Sequence, residues 1–388
     1  MSSVATVTAR PLRVLLVAPR FLPFMGGVEL HVAEVARRFA AAGVVTTILT
    51  TDLTGELPPE ETMDDVVVRR VRARPAQRDY YVAPGIYTEI ARGDWDVVHV
   101  QGYHTFVAPM AMHAAVRLRL PYVLTFHAGG HSSRLRHAVR PLQFALLRPL
   151  LARAERLVAL APYEIDRYSR QLDLPRERFA LIPNGCDLPT VAGVGSASDR
   201  ALIASIGRLE RYKGHHRILE AFPEIARRRS DARLWLAGGG PYEMQLRRMA
   251  RRLGVEDRVE IRGVPAADRR QMAAELSRVK VAVLLSEFET QPIAALEALA
   301  AGCRLVVADT PGLSVLADDG LAREVPLGSS PEAVAAAVLE ELERPRISDP
   351  PKLPTWDECA DKLLDLYLSV TRMRRGSPAL SSSALPAE

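Results

Sequence analysis

Two glutamates eight residues apart, Glu289 and Glu297, stand in the stretch SEFETQPIAALEALAAG, residues 286–302. Pro292 suits the first turn of a helix, where a missing N–H is no loss, and Gly302 is a natural stop. The ten residues from Pro292 to Ala301 carry one charge, Glu297. At about 100° per residue Glu297 falls on the same side as Ile293, Leu296 and Ala300, so it is expected to face inward. A buried carboxylate is costly without partners, and either another side chain or a polar ligand should meet it.

Arg208 and Lys213, in GRLERYKG, follow an apolar run that reads as a strand. Open α/β sheets bind ligands at the C-terminal edge of their strands, and two cations there suit a diphosphate. Either cation alone would read better as an exposed surface charge. Gly26 and Gly27, in MGGVEL, stand directly before a helical pattern. Glycines let the backbone approach a phosphate and a helix N-terminus offers unpaired N–H groups, although the stretch is not G-x-G-x-x-G. As acid and nucleophile of a glycoside hydrolase, Glu289 and Glu297 fit poorly. Eight residues of helix span about 12 Å, against about 5–5.5 Å for retaining and 6.5–9.5 Å for inverting carboxylate pairs. Hydroxyl-binding carboxylates fit better.

Two metal readings give way to plainer ones. Asp94 and Asp96 in DWD lead into the strand VVHV, where alternate residues need not converge on an ion. His127 and His131 in HAGGH have two glycines between them, which disfavours a helical metal face. No metal ion or other cofactor is expected.

The elements that must hold these residues follow from the apolar pattern. RVLLVAP, VTTILTTD, DVVHVQG and PYVLTFHA alternate with helical stretches such as VELHVAEVARRFAAAG, which argues for a parallel sheet wrapped by helices. After IPNGCDLPTVAGVGSASDR, rich in Gly, Ser and Pro, the pattern restarts with ALIASIGR, ARLWLAGGG, RVEIRGV, KVAVLLS and RLVVAD. The expected architecture is α/β with two doubly wound, Rossmann-like domains, residues 1–186 and 187–354. Thr355 and Glu358 form a capping box for a last amphipathic helix, residues 355–373, and residues 374–388 read as a disordered tail.

A chain of 388 residues suits two domains better than one core. Lys and Arg exceed Asp and Glu by 5, with a pI near 9.2, which favours anionic small partners such as nucleotides, phosphates or acidic lipids. No nucleic-acid partner is expected. Three widely spaced cysteines, Cys186, Cys303 and Cys359, read as reduced thiols, which points to the cytoplasm. The apolar core of the N-terminal run is too short for a signal peptide, and Glu297 and Arg304 interrupt the longest candidate membrane span.

These motifs together resemble the retaining glycosyltransferases of family four. SEFETQPIAALEALAAG is similar to that family's E-x7-E signature, GRLERYKG to its G-R-L-x-x-x-K-G, and PFMGGVELHVAEVARRFAAAG to its P-x-x-G-G-x-E motif and following helix. DVVHVQG, PYVLTFHA, LIPNG and LWLAGGGP occur in the family's order, so the resemblance covers residues 13–312. It implies a fold of the GT-B type, with the nucleotide-sugar donor in the C-terminal domain, the acceptor mostly in the N-terminal domain, and the last helix returning to the first domain. By motif, Glu297 would accept from the donor ribose, Glu289 would hold sugar hydroxyls, and the backbone of Thr290, Gln291, Pro292 and Ile293 would line the sugar and diphosphate. Arg208 and Lys213 would neutralise the departing diphosphate, His127 would contact the donor sugar, and Val264 in IRGVP would meet the nucleobase. Thr290, Gln291 and Pro292 stand where the family commonly has Gly-Phe-Gly, which leaves the donor sugar open.

The reading is a metal-independent retaining glycosyltransferase acting from a nucleotide diphosphate sugar on an acceptor hydroxyl of a sugar, a small molecule or a lipid-linked glycan. Its rivals are an epimerase or hydrolase of nucleotide sugars on the same fold, and a non-catalytic nucleotide-sugar binding protein. In SRLRHAVRPLQFALLRPL, residues 133–150, Leu135, Val139, Leu142 and Leu146 fall in one stripe opposite Arg136, His137 and Arg140. The preferred reading is a basic solvated face over a buried stripe. The alternative is peripheral contact with an anionic membrane.

Overall fold

A computed structural model describes residues 10–24, 26–76, 81–127, 134–189, 201–265 and 268–376. Two sheets divide the chain. The first contains β1 (Arg13–Val17), β2 (Val45–Asp52), β3 (Glu60–Met63), β4 (Val66–Arg72), β5 (Val97–Gln101), β6 (Tyr122–Thr125), β7 (Arg156–Ala159) and β8 (Phe179–Leu181). Their spatial order is β3-β4-β2-β1-β5-β6-β7-β8, parallel except for β3 against β4. The second contains β9 (Leu202–Ile206), β10 (Arg233–Ala237), β11 (Val259–Arg262), β12 (Val281–Leu284), β13 (Arg304–Ala308) and β14 (Arg323–Val325), in the order β11-β10-β9-β12-β13-β14 and parallel throughout.

Strands covered on both faces need apolar side chains at successive positions, which is why β5 (VVHVQ) and β12 (VAVL) are buried along their whole length. The expected alternation is therefore present in both halves. The last helix, Trp356–Gly376, lies on the first domain: Trp356, Cys359, Leu363, Tyr367 and Val370 pack with Val14, Leu16, Val35 and Phe39. Its capping box forms as expected, with Glu358 N–H donating to Thr355 Oγ1 at 3.1 Å and Thr355 N–H to Glu358 Oε2 at 3.2 Å. The helix runs to Gly376, past the expected end at residue 373, because nothing in Thr371–Arg375 breaks it. Residues 190–200 of the expected linker and 377–388 of the expected tail lie outside the described residues.

One expectation is overturned. The helix Arg134–Leu151 exists, yet Leu142 and Leu146 are 63% and 71% exposed, so they are not part of a buried stripe. The face that packs inward carries Leu147 and Leu151, with Phe144 and Leu150 partly covered by the same cluster. No helix among the described residues is long and apolar enough to cross a membrane.

Candidate active site

In the second sheet the strand order reverses between β9 and β12, and the loops leaving the C-terminal ends of these neighbouring strands form the crevice where such sheets bind ligands. One loop carries Arg208 and Lys213, the other Ser286 and Glu289. Gly214 locks them together. Its φ of +76° lies in the left-handed region, and a Cβ there would sit 1.9 Å from the Leu285 carbonyl oxygen. Lys213 Nζ consequently reaches Glu289 Oε1 at 2.6 Å, and Ser286 Oγ donates to the same oxygen at 2.8 Å. Burial pulls the Lys213 ammonium towards neutrality, but Glu289 and Tyr212 beside it more than offset this, and the Lys213 pKa is raised. Arg208 is held from behind: His215 Nε2 donates to the Arg208 carbonyl at 3.1 Å, and Ser205 Oγ donates to His215 Nδ1 at 2.9 Å. Its guanidinium pairs with Glu210 at 2.8 Å and is about half exposed.

Glu297 lies on the helix Ile293–Ala300 that follows the Glu289 loop, and it is 4% exposed. Its burial does not arise from one inward face. Ala295, Ala298 and Leu299 on the other sides are buried too, while Ala300 is only partly covered. The partner it requires is Arg269, whose guanidinium donates to Glu297 Oε1. Burial pushes the Glu297 carboxyl up to about 7, with Arg269 acting against the shift. Val264 follows β11 at the same strand-end edge and is half-buried.

The first domain faces this crevice. A Cβ added at Gly26 would lie 3.9 Å from Arg208 Cδ, and one at Gly27 would lie 3.8 Å from Ile293 Cδ1. The helix Gly27–Ala41 therefore begins against the strand-end loops of the second sheet. Glu29 in its first turn is desolvated, which raises its pKa against the pull of its own backbone amide, Arg208 and Arg20. His127 sits just beyond β6 with φ +41°, a left-handed conformation that costs a non-glycine residue roughly 1–3 kcal/mol and is held by its surroundings. Its Nε2 donates to Gln101 Oε1 at 2.7 Å, and burial drives its pKa well below the usual value. His127 is therefore neutral, with Nδ1 left as the acceptor.

Among the sequence candidates, Arg208, Lys213 and Glu289 converge, and Gly26, Gly27, Pro292 and Ile293 border them. Thr290 is buried beside Glu289. The Gln291 side chain turns elsewhere, to the Asn184 backbone. Asp94 and Asp96 both pair with Arg10, which is the strand-entry role. His131 lies outside the described residues. The sequence assigned no role to Ser286, Arg269, Glu29 or Gly312, although Glu29 closes the P-x-x-G-G-x-E motif and Ser286 opens the E-x7-E stretch. A Cβ at Gly312 would meet the Glu289 carbonyl at 2.2 Å, so only glycine allows the loop to rest there. The signal for Gly312 was the T-P-G step that opens the helix Pro311–Asp318.

The profile of Glycosyltransferase Family 4 matches residues 25–189, and that of glycosyl transferases group 1 matches residues 191–353. The chain belongs to glycosyltransferase family 4. Among the relatives of this family-4 glycosyltransferase is D-inositol 3-phosphate glycosyltransferase 1 of Catenulispora acidiphila, 29% identical over 91% of this chain and 93% of the relative. A second is the GDP-mannose:cellobiosyl-diphosphopolyprenol alpha-mannosyltransferase of Xanthomonas oryzae pv. oryzae, 28% identical over 79% of this chain and 81% of the relative. Solved structures share the fold, which is of the GT-B type. Sucrose-phosphate synthase from Thermosynechococcus elongatus superposes with a TM-score of 0.69 at 19% identity, covering 94% of this chain and 97% of that one. HepE of Anabaena, solved with UDP and glucose, gives 0.67 at 16% identity, covering 94% and 98%.

Proposed function

We propose that this glycosyltransferase takes a sugar from a nucleotide diphosphate sugar and passes it to an acceptor hydroxyl with retention at the anomeric carbon and without a metal ion. The observation that carries the reading is the Lys213–Glu289 pair beside Arg208 at the strand-order reversal of the second sheet, opposite Gly26 and Glu29 of the first domain. The bond from the anomeric carbon to the β-phosphate oxygen breaks and its electron pair leaves with the diphosphate, through an oxocarbenium-like transition state. Arg208 and Lys213 stabilise the charge that develops there. The acceptor oxygen attacks the same face, and its proton passes to a phosphate oxygen of the leaving group. Glu289 and His127 Nδ1 accept from sugar hydroxyls. Relatives named for D-inositol 3-phosphate and for cellobiosyl-diphosphopolyprenol support a polyol or sugar acceptor.

A thermal-shift screen of UDP-, GDP- and ADP-sugars tests the donor. The correct nucleotide at 100 times its dissociation constant stabilises the fold by about 2.7 kcal/mol; no shift with any of them would overturn the reading. Because the two cations supply the charge, activity is expected to survive excess EDTA. Loss on chelation with recovery on adding manganese or magnesium would show that a metal takes their place.

The finer proposal is that the acceptor is met at an anionic lipid surface. Leu142 and Leu146 project into solvent from a helix that also carries Arg134, Arg136, Arg140 and Arg148. Phe106 is 52% exposed, in the loop whose Tyr103 carbonyl accepts from Gln143 of that helix. Leucines over a basic helix suit the interface of acidic lipid. The enzyme is expected to sediment with anionic liposomes at low salt and to be released at high salt, since surface attraction of about 1 kcal/mol per basic residue is screened. An enzyme that stays in the supernatant at low salt has a soluble acceptor.

A further inference from the structure

The Gln291 side chain lies two residues beyond Glu289, yet it leaves the donor loop and crosses to the first domain. Its Oε1 accepts from the Asn184 N–H at 2.5 Å, and its Nε2 reaches the Asn184 carbonyl at 3.4 Å. One primary amide thus spans both backbone groups of a single residue. No hydrocarbon or aromatic side chain in that position could do this.

Asn184 is itself held from the other side. A Cβ at Gly185 would overlap the Trp356 backbone nitrogen at 2.1 Å, so the chain there presses directly on the start of the last helix. Cys186 N–H donates to the Pro354 carbonyl at 3.1 Å, and Asp187 accepts from Trp356 N–H at 2.6 Å. The segment 184–187 is therefore clamped between the donor loop and the C-terminal helix. The Asn184 side chain, 3% exposed, points on into the first domain, where its Oδ1 accepts from His31 Nδ1 at 2.8 Å. The His31 ring meets His127 edge-on, with centroids 4.8 Å apart. His127 is in turn fixed by Gln101 at 2.7 Å.

We infer that Gln291 is a positioning residue, which sets the donor loop against His127 through Asn184 and His31. The inference rests on the proposed function, in which Glu289 and His127 hold the same sugar from opposite domains. They come from different sheets, so their separation is fixed only by contacts that cross the cleft. Each link in the chain from Gln291 to His127 is buried or half-buried, and each has one defined geometry. Because His127 is already in a left-handed conformation, it has little freedom to follow a displaced sugar. A shift of the donor loop by a fraction of an ångström therefore moves Glu289 relative to His127, together with the Lys213 it is paired to and the loop that Gly214 locks to it, so the diphosphate site stays intact within itself.

The test uses Gln291→Met, which keeps length and volume but loses both hydrogen bonds, and Asn184→Ala, which cuts the next link. Hydrolysis of the nucleotide sugar found in the donor screen, with water as acceptor, is measured beside the affinity for the matching nucleoside diphosphate. Gln291→Met is expected to lower kcat by roughly tenfold to a hundredfold, the scale of a misplaced reacting group, while diphosphate affinity stays within about twofold. The double variant is expected to lose no more than the worse single one, because both cut the same chain. Full kcat in Gln291→Met, or losses that multiply in the double variant, would overturn the inference while leaving the active site as proposed. A parent enzyme that turns over no nucleotide sugar, with water or with sugar and polyol acceptors, takes down both. If Gln291→Met does not fold, Gln291→Glu, which keeps the 2.5 Å bond but sets a carboxylate oxygen against the Asn184 carbonyl, is expected to lower kcat in the same direction by a smaller factor.

Discussion

Lys213→Ala is expected to reduce turnover by roughly a hundredfold or more, and Arg208→Ala by a similar factor, the scale of losing one electrostatic contact to a charge that develops in the transition state. Lys213 has the larger consequences because of where it sits. Its ammonium lies 2.6 Å from Glu289, in a part of the cleft where the two side chains are 19% and 12% exposed. In water such a pair would be worth little. Here, removing the cation leaves Glu289 with Ser286 as its remaining partner and places an uncompensated carboxylate next to the leaving diphosphate. Arg208 is half exposed and engaged with Glu210 and Tyr212, and in the proposed mechanism it turns from them to the phosphate as the bond breaks. Since both contacts strengthen as charge develops, kcat and kcat/KM should fall together, with KM for the donor changing less. Lys213→Arg is not expected to restore the rate, because a planar fork does not replace a compact ammonium in the gap beside Glu289. Steady-state kinetics on folded variants decide the matter. Near-native turnover in both alanine variants would sink the mechanism.

How far the sequence showed all this depends on how local each cause is. β1, β5, β9 and β12 are legible because each is a short unbroken apolar run between turn residues, and their loops could be placed at strand ends from that alone. β8 (FAL) and β14 (REV) have three residues each, too few to show any period. β3 and β4 form an edge hairpin whose alternation, in VVVRRVR, competes with its charges. The capping box was legible because both partners lie within four residues. Glu297 could be assigned as buried, but its partner Arg269 is 28 positions away in the chain and belongs to a different helix. Spacing carries no information about such a pair. The same holds for Glu29 and Arg208, and for Gln291 and Asn184, which meet only because two domains close on each other. Leu142 and Leu146 mark the opposite failure. A helical stripe shows which residues share a face, but not whether anything covers it.

Glu297 has one observed partner, Arg269, and one expected partner, the donor ribose, and a single substitution would confuse the two. Glu297→Ala should weaken donor binding, as a ribose ligand requires, but it also strands the Arg269 guanidinium, which is 20% exposed, and should cost the fold about 3 kcal/mol. Glu297→Gln separates the effects, because its amide oxygen still accepts from Arg269. If Glu297 holds the ribose, this variant should lose about tenfold or more in affinity for the nucleoside diphosphate, the scale of a charge-assisted hydrogen bond. Its affinity for inorganic pyrophosphate, which has no ribose, should not change. Titration gives a second, independent reading. Burial raises the folded-state carboxyl from the ordinary glutamate range to about 7, so between those values the native protein holds a proton that the unfolded chain has released. Stability of the ligand-free enzyme should therefore fall as pH rises through that window, and Glu297→Gln should flatten the slope. Affinity should run the other way, since the ionised carboxylate that appears above pH 7 is the better acceptor. The parent should gain nucleoside diphosphate affinity, relative to Glu297→Gln, between about pH 6 and 8. Equal loss for pyrophosphate and nucleoside diphosphate, or no loss for either, would leave Glu297 as the partner of Arg269 alone and return the ribose to another residue of the crevice.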